Sequence, residues 1–110
     1  MTNVLFICGK ARKRSPTAAD VLARWQGFST DFAGLSRDAD EVVSPEHIDW
    51  ADIIFVMERK HKARLRTKFG SLAAGLKLIS LDIPDKFDTH EPALVDILIQ
   101  KLTAHFGPIT

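Results

Sequence analysis

Apolar residues fall along this chain in short unbroken runs and in helical stripes, and the two patterns alternate. Val4 to Ile7 is uninterrupted, as expected of a strand buried on both faces rather than one. A turn-like segment, Cys8 to Arg14, follows. Ser15 then reads as an N-cap and Pro16 as the first helical residue. Ala18, Val21, Leu22 and Trp25 fall at i, i+3, i+4 and i+7 before Gly27 ends the stripe. Ser29 to Ala33 is short, mixed and strand-like, whereas Leu35 to Val43 is polar without periodicity and reads as a loop. Ser44-Pro45 repeats the cap-plus-proline signal for a helical turn to Trp50, and Ile53 to Met57 is a second buried strand. Glu58 to Phe69 is expected to be helical, with Leu65 and Phe69 inward, a basic outer face and Gly70 as its stop. Leu76 to Leu81 gives a fourth strand. The acidic loop "DIPDKFDTHEP" leads to a last helix, whose stripe is Val95, Leu98, Ile99, Leu102 and Phe106 before Gly107-Pro108.

Strands alternating with helices imply right-handed βαβ units and a parallel sheet covered on both faces, a small doubly wound α/β architecture in three layers. Composition fits one domain over residues 1–110: 45% of the chain is hydrophobic and 26% charged, enough for a modest core. The formal net charge of +1 gives no global field for nucleic acid or membranes. The basic run from Arg59 to Lys68 reads as a solvated helix face, which argues against nucleic-acid binding. No apolar run reaches membrane-spanning length or resembles a signal-peptide core. One cysteine excludes an internal disulfide and suits a reducing compartment, so the expected location is the cytoplasm. His47, His61, His90 and His105 show no metal-ligand spacing.

The distinctive feature is where the charge sits. Lys10, Arg12, Lys13 and Arg14 follow Cys8 within six residues. In a doubly wound sheet, ligands bind beyond the carboxyl ends of strands, which is where Cys8 falls. A lone cysteine is usually a small hydrophobe. Here, the amides of the loop can turn inward as an anion nest, and the following helix directs its positive end at the same spot. Such a field favours a thiolate over a thiol. Arg14 offers a planar fork to two oxygens of a tetrahedral anion, and Ser15 can hydrogen-bond the sulfur.

Cys8, five intervening residues, Arg14, Ser15 and Pro16 form C-x5-R-S-P. With the preceding strand and following helix, this segment resembles the signature of the low-molecular-weight protein tyrosine phosphatase family. "FAGLS", "WADIIFVMERKHKARL" and "LDIPDKFD" extend the resemblance over most of the chain, in a form similar to the short bacterial members. The resemblance implies a flavodoxin-like, phosphotyrosine phosphatase I-like fold with four parallel strands in the order 2-1-3-4. It also implies a cofactor-free and metal-free hydrolysis of phosphate monoesters, phosphotyrosine or small aryl phosphates, through a phosphocysteine. Cys8 would be the nucleophile, and Gly9, Lys10, Ala11, Arg12, Lys13 and Arg14 would cradle the phosphate. Inorganic phosphate or sulfate would occupy the same loop, and the partner would be a phosphorylated protein or a small phosphomonoester. The general acid would be Asp82, which follows strand four directly, or Asp85, which follows Pro84; Asp82 is preferred.

Three positions depart from the family pattern. Lys13 stands where a second cysteine is usual, Ala11 where an asparagine braces the loop, and the chain has no tyrosine. If Ala11 is left-handed, it carries a cost of about 1 kcal/mol or more. The three other loop cations form either an anion-attracting rim or direct substrate contacts. Asp82, Asp85 and Asp88 also suit plain Asx-turns. The alternative function is a non-catalytic phosphate or phosphoprotein sensor on the same fold. An arsenate reductase lacks its further cysteines, and a phosphocarrier would not require Arg14.

Overall fold

The structure, a computed structural model, describes residues 1–108. Strand and helix alternate: β1 (Thr2–Cys8), α1 (Arg14–Leu22), β2 (Phe28–Gly34), α2 (Pro45–Trp50), β3 (Ile53–Val56), α3 (Arg59–Phe69), β4 (Lys77–Ser80) and α4 (Pro92–Phe106). The strands pair in parallel in the order β2-β1-β3-β4, as the sequence implies. β1 is flanked by strands on both sides and by helices on both faces, so Val4, Leu5, Phe6 and Ile7 are wholly buried. That burial accounts for their unbroken apolar run.

Successive side chains of a strand point to opposite faces. Val4, Phe6 and Cys8 join the core beneath α1 and α4, whereas Leu5 and Ile7 join the core beneath α2 and α3. On the first face Phe6 stacks on Phe55, with ring centroids 5.5 Å apart. The chain leaves β1 through α1 to one side of the sheet, then crosses by α2 to the other. The carboxyl end of β1 is therefore the point where strand order reverses, and a crevice opens there. Cys8 sits at that end, opposite Gly34 of β2.

Some boundaries differ from the sequence reading. α1 begins at Arg14 with Lys13 at its cap, and Lys13 makes no side-chain capping bond. Ser15 is thus a first-turn residue and not the N-cap. Pro16 is tolerated one residue later because the first four helical amides have no intrahelical acceptor. α1 stops at Leu22, so Trp25 lies beyond it. Trp25 is buried nevertheless, and its indole N–H donates to the Gly107 carbonyl at 3.1 Å. In α4 the fully buried positions are Leu94, Leu98 and Leu102, an i, i+4, i+8 row. Val95, Ile99 and Phe106 flank it half-buried, so the core-facing stripe is rotated from the expected one. Gly70 has φ 51 and opens a single 3-10 turn, Gly70–Leu72, after α3. Ser44 does cap α2, accepting from the His47 amide at 3.4 Å, and His47 Nδ1 returns the bond to the Ser44 amide at 3.0 Å.

The polar run after β2 folds back on the Cys8 loop. The amides of Leu35, Ser36 and Asp40 donate to the carbonyls of Cys8, Gly9 and Lys10 at 3.0, 2.9 and 2.9 Å. This close approach requires Gly34. A Cβ there would lie 2.7 Å from the Gly9 carbonyl oxygen, 2.7 Å from Ala39 Cβ and 3.0 Å from the Ala11 nitrogen. At Gly9 the nearest atom to a new Cβ is Ser36 Oγ at 4.0 Å. Gly34→Ala is therefore expected to cost about 1–3 kcal/mol in urea unfolding, the range for overpacking. Gly9→Ala should stay within about 0.5 kcal/mol. Equal effects at the two positions would contradict the packing argument.

Candidate active site

The loop from Cys8 to Arg14 wraps around the cysteine sulfur. The Ala11 amide donates to Cys8 Sγ at 3.2 Å, and Ser15 Oγ lies 3.1 Å from the same sulfur. Cys8 and Ser15 are both buried. Ala11 reaches its position only in the left-handed region, with φ 58, and its methyl group is buried as well. The strain expected from the sequence is present, and the packing around the methyl group and the braces from residues 35–40 hold the residue there.

Arg14 turns its guanidinium under the loop and is 5% exposed. Nη1 donates to Glu58 Oε2 at 2.9 Å and to the Ile83 carbonyl at 2.8 Å. Among the described residues, neither Nε nor Nη2 has a hydrogen-bond partner, so one edge of the fork remains for a ligand. Glu58 directly follows the residue that ends the apolar run of β3. Burial opposes its ionisation, but the hydrogen bond and charge of Arg14 prevail and hold its carboxyl below the ordinary value. His61, one turn into α3, is 1% exposed. Its Nδ1 accepts from the Glu58 amide at 3.2 Å, and its Nε2 is 3.6 Å from Glu58 Oε2. Burial, then the Arg14 charge, lowers its pKa to about 4. The ring is therefore neutral at physiological pH, with its proton on Nε2.

The two candidate aspartates separate. Asp85 borders the same cleft as Cys8 and Arg14, about 390 Å³ in volume, and its Oδ1 is 3.8 Å from Arg14 Nε. Asp82, preferred from the sequence, borders a different cavity with Arg59 and Lys62. It is left-handed at φ 53 and is bound by the Ser80 hydroxyl at 2.7 Å. That hydrogen bond and the Arg59 charge hold its carboxyl below the ordinary value against a small opposing effect of burial. Asp82 therefore sits in a turn closed by Ser80, as its Asx-turn chemistry allows, outside the cleft that Asp85 borders.

Lys10, Arg12 and Lys13 also border the cleft, but each faces a carboxylate: Asp38 at 2.8 Å, Asp40 at 2.9 Å and Asp88 at 3.6 Å. They form a paired rim. Glu58, His61 and Ser36 belong to the cleft without having been singled out from the sequence. The rule that placed Cys8 at a strand's carboxyl end applies equally to Glu58 after β3 and offered a signal; Ser36 carried none beyond its place in "FAGLS".

A four-stranded parallel sheet in this order, with a cysteine-arginine loop following β1, defines a class of small doubly wound α/β folds. Solved structures of that class match almost the whole chain. Wzb from Vibrio vulnificus, in complex with benzylphosphonate, has a TM-score of 0.77 at 20% identity, covering 94% of this chain and 96% of that one. The low-molecular-weight protein tyrosine phosphatase from T. tengcongensis gives 0.73 at 18%, covering 96% and 100%. The YwlE arginine phosphatase from Geobacillus stearothermophilus gives 0.67 at 22%, covering 96% and 95%. The chain has the low-molecular-weight protein tyrosine phosphatase fold. No family model matches the sequence, and no curated protein is significantly similar to it.

The buried neutral His61 has a thermodynamic consequence. Its folded pKa of about 4 lies below the ordinary value, so between those two values the unfolded chain binds a proton that the folded chain does not. Stability from this group is complete above about pH 6.5 and is lost on acidification. Urea unfolding at pH 7 and pH 4.5 should differ by an excess on the order of 2 kcal/mol over the same comparison in His61→Gln. Glutamine at this position can still accept from the Glu58 amide. An identical pH dependence in the two proteins would contradict the assignment.

Proposed function

We propose that the protein is a cysteine-dependent phosphatase acting on phosphate monoesters. The observation that carries this reading is the convergence of the Cys8 sulfur, held by the Ala11 amide and close to Ser15 Oγ, with the open edge of Arg14 and the Asp85 carboxyl in one cleft. Amide and hydroxyl donors directed at sulfur stabilise a thiolate nucleophile. The thiolate attacks phosphorus, forming an S–P bond as the ester P–O bond breaks. Arg14 Nε and Nη2, with the loop amides, bind the equatorial oxygens of the phosphoryl group as charge spreads over them.

Asp85 is the candidate acid that delivers a proton to the leaving oxygen, releasing the alcohol or phenol. Its carboxylate then takes a proton from water as that water attacks phosphorus. The S–P bond breaks, inorganic phosphate leaves and the Cys8 thiolate returns. Ser15 assists its departure by hydrogen-bonding the sulfur. Glu58 and the Ile83 carbonyl hold Arg14 Nη1, which fixes the plane of the fork, and His61 acts one step further out by contacting Glu58. The neighbours act on tyrosine or arginine phosphate by name, which supports phosphoryl chemistry at this loop without choosing between those substrates.

The test is hydrolysis of p-nitrophenyl phosphate and of phenyl phosphate, whose leaving group is poorer. Activity should vanish in Cys8→Ser and fall at least about 10²-fold in Arg14→Lys, where the fork is replaced by a point charge. Asp85→Asn should lose about 10²–10³-fold on phenyl phosphate and much less on the activated ester, while Asp82→Asn stays within about twofold of wild type. Phosphate binding with no turnover would leave the sensor reading in its place. The reverse ranking of the two aspartates would overturn the assignment of Asp85.

A further inference from the structure

α3 carries six Lys and Arg residues and no acidic one, and five of these cations divide between two surfaces. Arg59, Lys62 and Arg66, at i, i+3 and i+7, border the cavity that contains Asp82. Lys60 and Arg64, one helical turn apart, border the Cys8 cleft. The pairing state of these two differs from that of the loop cations. Lys10, Arg12 and Lys13 each have a carboxylate of their own. The nearest carboxylate oxygen to Lys60 is Glu58 Oε2 at 3.9 Å, and that oxygen is already bound by Arg14 at 2.9 Å. Among the described residues, Arg64 has no carboxylate within 4.0 Å. The cleft also contains neither phenylalanine nor tryptophan among its lining residues. Phe87, the aromatic residue of the β4–α4 loop, is buried in the core instead. A bare phenyl ring would therefore find no phenylalanine, tyrosine or tryptophan face to stack on, and a guanidinium leaving group would meet cations.

We infer that Lys60 and Arg64 form a subsite for a second anion, so the cleft takes a phosphomonoester whose leaving group itself carries a carboxylate or another phosphate. The inference rests on phosphate binding by the Cys8 loop. Lys60 and Arg64 lie on the first two turns of α3, which starts beside Glu58, and they line the same cleft as Cys8 and Arg14. Two exposed cations without dedicated partners gain more from a ligand anion than three whose charge is already matched.

Non-hydrolysable probes separate this proposal from the question of turnover. Calorimetry would compare benzylphosphonate derivatives bearing, at the para position, a carboxymethyl group, its neutral methyl ester, or a phosphonomethyl group. Both anionic probes, or either one, should bind about tenfold more tightly than the methyl ester at low salt. The tighter of the two identifies the anion. The preference should shrink to less than about twofold in 0.5 M NaCl and in the Lys60→Gln/Arg64→Gln protein. Equal affinity for charged and neutral probes, a preference that survives the double substitution, or failure of all three to bind would overturn the subsite. Hydrolysis of p-nitrophenyl phosphate with no such preference would leave the phosphatase reading standing alone. A full preference with no hydrolysis would retain the subsite on a phosphate sensor.

Discussion

The site depends on one buried cation. Arg14 is almost fully withdrawn from water, and a guanidinium in that position must be compensated by charge and hydrogen bonds. Arg14 and its two hydrogen-bond partners come from three different strand ends. Arg14 itself follows the β1 loop, Glu58 stands just after β3, and the Ile83 carbonyl lies three residues after β4. One side chain thereby joins the segments that border the Cys8 cleft. The same desolvation propagates outward to His61, which stays neutral beneath the pair and completes the N-terminal amide bonding of α3 at Glu58.

The opposite side of the Cys8 loop is held by backbone rather than by charge. Three amides from residues 35–40 donate to carbonyls of residues 8–10, leaving other loop amides free to face inward. This brace explains how Ala11 can occupy a left-handed conformation without an asparagine side chain. The strain, about 1–2 kcal/mol for a non-glycine residue, is opposed by the burial of the methyl group and by the Ala11 amide bond to Cys8 Sγ. Gly34 is the other half of this arrangement. The loop can approach β2 closely only where no Cβ intervenes.

Legibility from sequence followed the locality of the forces. The order of elements was readable because burial on both faces of β1 and β3 imposes unbroken apolar runs, and because helices must present a stripe to the sheet. The Cys8 to Arg14 spacing was readable for a similar reason: strand end, loop and helix start are contiguous. Asp82 and Asp85 were not separable. Both flank Ile83-Pro84 in the same acidic loop, and what distinguishes them is a turn closed by Ser80 and a side-chain position relative to Arg14, two long-range outcomes of the β4 exit. Glu58 and His61 were hidden inside a run dominated by cations, where composition suggested only a solvated face. The start of α1 was misread because a Ser-Pro pair satisfies both a cap and a first-turn placement; burial of Ser15 against the sulfur decided between them.

Charge at the mouth of the cleft gains meaning only when it is sorted by partner. A count of cations in "GKARKR" and "ERKHKAR" suggests a uniformly positive surface, whereas the structure pairs Lys10, Arg12, Lys13 and Arg59 with aspartates and, among the described residues, leaves Lys60 and Arg64 without a carboxylate of their own. The acidic residues Asp38, Asp40 and Asp88 come from loops that pack on the Cys8 loop, so their pairing with Lys10, Arg12 and Lys13 also pins that loop in place. Those contacts are exposed and individually weak, but they act on a segment whose backbone is already braced. α3 lacks acids of its own, and its cations facing the cleft therefore remain the unmatched part of the local field. At short range in a partly enclosed cleft, such unmatched charges are screened less than those on open surface. On the proposed phosphatase reading, selectivity among phosphate esters would follow from what lies beyond the phosphate, because every phosphomonoester would present the same dianion to Cys8 and Arg14.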